Sequence, residues 1–177
     1  HETTDGEHLL VHKLRGLPCF VPELDLVAEA DGLLAAHVIY SRAKILTQAE
    51  KEIEVLTFGP LSVTPAYKGK GVGARLMHHS IAEAKRLGYR AIVFFGHPDY
   101  YPRLGFRRAG EFGITVPDGT GTDALMAMPL YDGALDHTAG RFIEAPAFAV
   151  DRPAPAALVQ PFPLPSPVPH PSSQDPA

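Results

Sequence analysis

The sequence predicts an α/β domain with a mixed, mostly antiparallel central sheet flanked by helices. Three observations carry that prediction. β-prone runs recur between turn signals, one long segment has helical periodicity, and the apolar run 90–95 right after it reads as a strand. A length of 177 residues suits one domain with a sizeable core.

Taken in order, Leu9, Leu10, Val11 and Leu14 fall near helical spacing, which predicts a helix over about Glu7–Arg15 with Gly16 at its C-terminal end. Leu24–Ala30 reads as a strand, Asp31-Gly32 as a hairpin turn, and Leu33 to about Ile45 as its partner. Glu54–Val63 is the next strand, and Gly59-Pro60 within it predicts a bulge, because proline cannot donate to the ladder. The main helix is expected over about Lys70–Leu87. Val72, Leu76, Met77, Ile81, Ala84 and Leu87 form its apolar stripe, while Arg75, Glu83, Lys85 and Arg86 face water. Arg90–Phe95 is a strand, followed by a short helix near Asp99–Leu104. Further strands are expected near Phe106–Gly110, Ala124–Leu130 and Arg141–Ala145.

The most informative stretch is Leu61 to Ala74, where an apolar run ends at Pro65, crosses a glycine-rich basic loop and opens into the main helix. Glycines let the chain approach a ligand closely, and the first amides of a helix lack internal partners. Those amides favour an anion at the positive end of the helix dipole. An ordinary connection would use glycine only for its turn. Gly69, Gly71 and Gly73 with Lys68 and Lys70, and no acid among them, favour a pocket for a phosphorylated ligand.

Spacing separates the candidate ligands. A P-loop needs Gly-x-x-x-x-Gly-Lys followed by Ser or Thr, and no such string occurs. Gly69-x-Gly71-x-x-Ala74 fits a loose dinucleotide fingerprint. That fold wants an acidic residue about 20 positions onward, where this chain has Ala91 to His97. Val63-x-Pro65-x-x-Lys68-x-x-Gly71-x-Gly73 resembles the acyl-CoA-binding motif of the GCN5-related N-acetyltransferases, with Lys68 in place of the usual Gln or Arg. Lysine keeps the positive charge and loses the planar fork. Tyr100-Tyr101-Pro102-Arg103-Leu104-Gly105-Phe106 resembles a second motif of that family, and the run from Gly96 to Phe106 looks like one bacterial branch of it. The resemblance spans about Asp5 to Val150.

The resemblance implies an acyl-CoA N-acyltransferase fold and an enzyme that moves an acetyl group from acetyl-CoA to a primary amine of a small molecule or peptide. It implies a first strand and helix ahead of Glu7, so residues 1–150 are expected to form an N-terminally incomplete acetyltransferase domain. Backbone groups of Leu61, Ser62 and Val63 would pair with the pantetheine arm like an added strand. The pyrophosphate would rest on Gly69, Lys70, Gly71, Val72, Gly73 and Ala74, beside Lys68. Much of the catalysis would then be positioning.

Two proton transfers remain. An alkyl amine has a pKa near 10.4, so neutralising it at pH 7 costs roughly 4–5 kcal/mol, and the departing thiolate needs a proton. Tyr101 matches the family's tyrosine beside the thioester sulfur and is the candidate general acid. The family's glutamate position falls on Thr57, which cannot act as a base. Glu54, near Glu52, is the candidate base, and a water-relayed path is the alternative. His97 carries an imidazole suited to proton exchange. It orients the cofactor or caps the short helix. A rival reading, kept alive by Thr57, is a non-catalytic acyl-CoA-binding sensor or assembly module.

No metal is expected: His8 and His12 share a helix face without a third ligand, and His78 and His79 point apart. The net charge of −4 with no basic stripe argues against nucleic acid. No run approaches a membrane span and no signal peptide is visible, so a cytoplasmic protein is expected. One cysteine, Cys19, rules out an internal disulfide and reads as a small buried hydrophobe. Residues 151–177 form a Pro-rich tail in which every second residue from Pro161 to Pro171 is proline. Such a run favours polyproline II. It is either a solvated spacer or an arm packing its own domain or a neighbour in a homodimer through Phe162, Leu164 and Val168.

Overall fold

A computed structural model describes residues 3–149; the Pro-rich tail expected over 151–177 lies outside the described residues. The order of elements is α1 (Thr3–Arg15), β1 (Phe20–Ala30), β2 (Leu33–Thr47), β3 (Glu52–Val63), α2 (Val72–Arg86), β4 (Ala91–Phe95), β5 (Arg107–Arg108), β6 (Ile114–Thr115), β7 (Leu125–Pro129), β8 (Gly140–Ile143) and α3 (Pro146–Ala149). They build one mixed sheet in the order β5-β7-β4-β3-β2-β8-β6, with β1 also paired to β2. Among the described residues, only β3–β4 and β6–β8 are parallel pairs.

Alternation along the strands assigns each residue to a face. Val38 and Tyr40 of β2, Leu56 and Phe58 of β3, and Ile92 and Phe94 of β4 face α2, whose Leu76, Met77, Ile81 and Ala84 close that core. Val72 and Leu87, the ends of the expected stripe, pack against it partly buried. The other face carries Ala43, Ile45, Val55, Val93, Ala127 and Phe142. Beside them, Ile39 is covered by Leu14 of α1 and Ala147 of α3.

Three expected boundaries move for local reasons. β1 begins at Phe20 rather than Leu24 and contains Pro22, which an edge strand tolerates because no ladder bond is lost there. α2 begins at Val72 rather than Lys70, because its N-cap Gly71 is left-handed at φ 77°. The strand expected over Phe106–Gly110 shortens to two residues, since Ala109–Phe112 turns into a 3-10 helix. The hairpin turn falls on Asp31 and Gly32, at φ 54° and 73°. Gly59-Pro60 stands opposite Ile39, where the β2–β3 register shifts. That is the expected bulge, and its peptide bond is cis.

Gly140 fixes where β8 lies. A Cβ there would collide with the Leu46 carbonyl on the neighbouring strand. Gly140→Ala is therefore expected to cost about 1–3 kcal/mol of stability, read as a lower urea midpoint at unchanged slope.

Candidate active site

The site grows from a place where two neighbouring strands part. β3 and β4 share a single registered pair, Leu56 with Ile92. Beyond it β3 continues to Val63 and pairs with β2 alone, through Leu61 with Val38, Ser62 with His37 and Val63 with Ala36. Leu61, Ser62 and Val63 therefore present their other backbone edge to the gap beside β4.

The strand leads into a fastened loop. The Thr64 amide donates to the Ala35 carbonyl at 2.9 Å, and Lys68 closes a 3-10 turn onto Pro65 at 3.3 Å. The Tyr67 hydroxyl donates to the Ala30 carbonyl at 3.0 Å and reaches Asp31 at 3.3 Å, tying the loop to the β1–β2 hairpin. Gly69 and Gly71 take φ 74° and 77°, a region that costs other residues about 1–2 kcal/mol. Lys70 lies with Nζ 5.5 Å from the Tyr67 ring centre, and both Lys68 and Lys70 are exposed.

No side chain caps α2 and no acid lies in its first turn. Its first internal bond runs from Arg75 N–H to the Gly71 carbonyl at 3.0 Å. The amides of Val72, Gly73 and Ala74 thus lack a carbonyl within the helix, an arrangement suited to an anion. A Cβ on Gly73 would stand 3.0 Å from Val63 Cγ2, so glycine there lets the helix press against the end of β3.

Tyr101 closes the far side of the gap. Its ring packs at 4.6 Å from Phe94, 5.9 Å from Phe58, 5.9 Å from Phe106 and 5.0 Å from Tyr100, between ring centres. Burial, reinforced by the neighbouring Tyr100, pushes its hydroxyl up to about 12. At neutral pH it holds its proton and can give it away. Gly96 makes room: a Cβ there would lie 2.5 Å from Phe94 and 2.6 Å from Tyr101. Tyr40 underlies the cluster with its hydroxyl 2.8 Å from Ser80, and burial raises its proton affinity further.

The other sequence-derived candidates fall in different places. Nδ1 of His97 accepts the Asp99 amide at 3.3 Å, and the His97 carbonyl accepts the amides of Tyr100 and Tyr101. His97 therefore caps the turn that delivers Tyr101. Thr57 is fully buried, opposite Ser41. Glu54 is exposed near the start of β3 and lines a separate cleft with Cys19, Arg42, Lys44, Glu52 and Glu144. From Glu54 to Phe58 the strand climbs about 13 Å, so the structure does not bring Glu54 to Tyr101. Cys19 is half-buried rather than buried, and desolvation pushes its thiol up. Among the described residues no group of three His, Cys, Asp or Glu could hold a metal ion, and no helix is long and apolar enough to cross a membrane.

Sequence reasoning missed Gly96, Tyr67 and the ring cluster around Tyr101. Gly96 carried a faint signal, as a glycine ending a strand just before two tyrosines. The ring cluster depends on strand pairing and left none.

Known proteins resemble this chain in sequence and in fold. Residues 23–108 match the acetyltransferase (GNAT) domain family. Over 138 residues the chain is 30% identical to YhbS of Escherichia coli K12, an uncharacterized N-acetyltransferase, covering 77% of this chain and 80% of that protein. It is 34% identical over 97 residues to YjhQ of the same strain, also an uncharacterized N-acetyltransferase, covering 54% of this chain. It spans only 53% of the length of YjhQ. The crystal structure of Escherichia coli YhbS in complex with CoA superposes with a TM-score of 0.74 at 26% identity, over 83% of this chain and 79% of that one. A GNAT family acetyltransferase from Brucella melitensis in complex with acetyl-CoA gives a TM-score of 0.63 at 26% identity, over 83% and 80%. The chain belongs to the GNAT family of acetyltransferases.

Proposed function

We propose that this chain transfers the acetyl group of acetyl-CoA to a primary amine of a small molecule or peptide by direct attack on the thioester. The observation that carries the reading is the continuity of three features: the open edge of β3, the uncapped start of α2, and Tyr101 across the gap. Leu61, Ser62 and Val63 bind the pantetheine arm by strand addition. The loop Gly69–Ala74 takes the pyrophosphate, with Lys68 and Lys70 supplying charge nearby. The acceptor nitrogen attacks the thioester carbonyl and the C–S bond breaks. The thiolate takes the Tyr101 proton, which solvent restores, and the proton of the acceptor nitrogen leaves to a base or to water. YhbS crystallised with CoA and the Brucella protein with acetyl-CoA support the choice of donor.

Thr57, buried where the family's motif expects a glutamate, favours a second reading in which the domain binds acyl-CoA without turnover. One experiment separates the two. Acetyl-CoA is offered with a polyamine, an amino sugar, free lysine and a peptide α-amine while free thiol is followed. The enzyme releases CoA with at least one amine. Calorimetric binding of acetyl-CoA without release on any of them favours the sensor, and no binding sinks both.

A further inference from the structure

The two faces of β3 beside the gap are built differently. On the α2 side, Phe58 and Phe94 belong to the core that α2 closes, and Tyr101 packs against it. On the other side Gly59, the residue after Phe58, meets α3. A Cβ on Gly59 would stand 3.5 Å from Cε1 of Phe148. Gly59 lies beyond the registered β3–β4 pair of Leu56 with Ile92, so its free backbone edge borders the gap. The Tyr101 ring is 5.9 Å from that of Phe58. Tyr101 and Phe148 therefore flank adjacent residues of one strand, from opposite faces.

The surroundings of Phe148 are apolar. Its ring is half-buried and packs, with Leu10, Val11 and Leu17 of the α1 region, on the cluster that holds Ile39. From Val55 to Val63 β3 has no charged residue, β4 has none from Ala91 to Phe95, and α3 has none. Asp25, the β1 partner of Ile39, is a carboxylate on this face, and it is already bonded to Arg15 and His37. A second positive charge entering here would lose water without gaining a counter-charge. An apolar group would gain by leaving water.

We infer that the acceptor is a monoamine whose substituent is a compact apolar group, branched alkyl or aryl, and that Phe148 is the wall this group packs against. The inference rests on the acetyl-transfer reading above and narrows its acceptor. α2 and the rings around Tyr101 occupy one face at the gap, so the amine meets the thioester from the other. Its nitrogen then points to the thioester carbon while its apolar group lies on the Phe148 ring, out of water. A polyamine would bring charges, and an amino sugar hydroxyls, that find no partner on that wall. Phe148 thus sets specificity and takes no part in the proton transfers.

The test compares kcat/KM for 3-methylbutylamine, ethylamine and 1,4-diaminobutane with acetyl-CoA as donor. The unmodified protein is expected to favour 3-methylbutylamine over ethylamine by about tenfold or more, and to favour it over the diamine. Phe148→Ala should lower the ratio of 3-methylbutylamine to ethylamine by about tenfold, with acetyl-CoA affinity changed by less than about twofold. A purely structural role for Phe148 would lower both rates alike and leave their ratio where it was. Phe148→Leu, which keeps an apolar side chain, should give a smaller fall in the ratio, and it carries the test if Phe148→Ala does not fold. Equal values for 3-methylbutylamine and ethylamine, a higher value for the diamine, or an unchanged ratio in a variant that binds acetyl-CoA overturns the inference and leaves acetyl transfer standing. Absence of turnover by the unmodified protein on these amines and on those offered above overturns both.

Discussion

Tyr101→Phe is expected to lower kcat by about 10²–10⁴-fold while acetyl-CoA binds nearly as before. Phenylalanine keeps the ring contacts with Phe94, Phe58 and Phe106, so the change isolates the hydroxyl. Burial pushes that hydroxyl up to about 12, well above neutrality, so it remains protonated across the range where the enzyme would work. Activity should accordingly show no loss from Tyr101 ionisation between about pH 7 and 10. Steady-state rates with parallel calorimetry read both quantities. Weakened affinity at unchanged kcat would contradict the proton-donor role.

Gly71→Val is expected to abolish binding of acetyl-CoA. A Cβ at Gly71 meets no protein atom within 4 Å, so the side chain projects into the open space at the start of α2 where a phosphate oxygen would come closest. The left-handed φ of 77° adds strain of about 1–2 kcal/mol, which a β-branched residue feels most. Gly71→Ala shares the backbone strain with a smaller obstruction, and it should retain measurable though weakened binding. Thermal unfolding reports the strain and calorimetry reports the ligand. Tight binding by Gly71→Val would remove the loop from the site.

The glycine-rich loop that opens α2 was readable because its chemistry is local. Gly69, Gly71 and Gly73, the two lysines and the helix they open lie within a few residues, and the stripe of Leu76, Met77, Ile81 and Ala84 fixes which way that helix faces. The hairpin at Asp31-Gly32 and the bulge at Gly59-Pro60 were legible for the same reason, since turn chemistry resides in the turn itself. The two-residue strands were not. Arg107–Arg108 and Ile114–Thr115 are strands only because β7 and β8 lie beside them, and no periodicity fits in two residues. The group in which Asp25 bonds to both Arg15, at 2.8 Å, and His37, at 2.6 Å, was equally hidden. Its members come from three elements, and the β1–β2 register with the packing of α1 decides that they meet. Glu54 is near Thr57 in sequence, yet four residues of β3, about 13 Å, separate it from Phe58 and the Tyr101 ring beside it.

β2 runs for 15 residues and serves as partner to β1, β3 and β8, while its adjacent Ile39 and Tyr40 are committed to opposite cores. Losing that one strand would strip both halves of the molecule at once. Denaturation should therefore be all-or-none, with ring-environment and backbone signals lost together, and a fragment holding β3, its loop and α2 should not survive the melting of the opposite side.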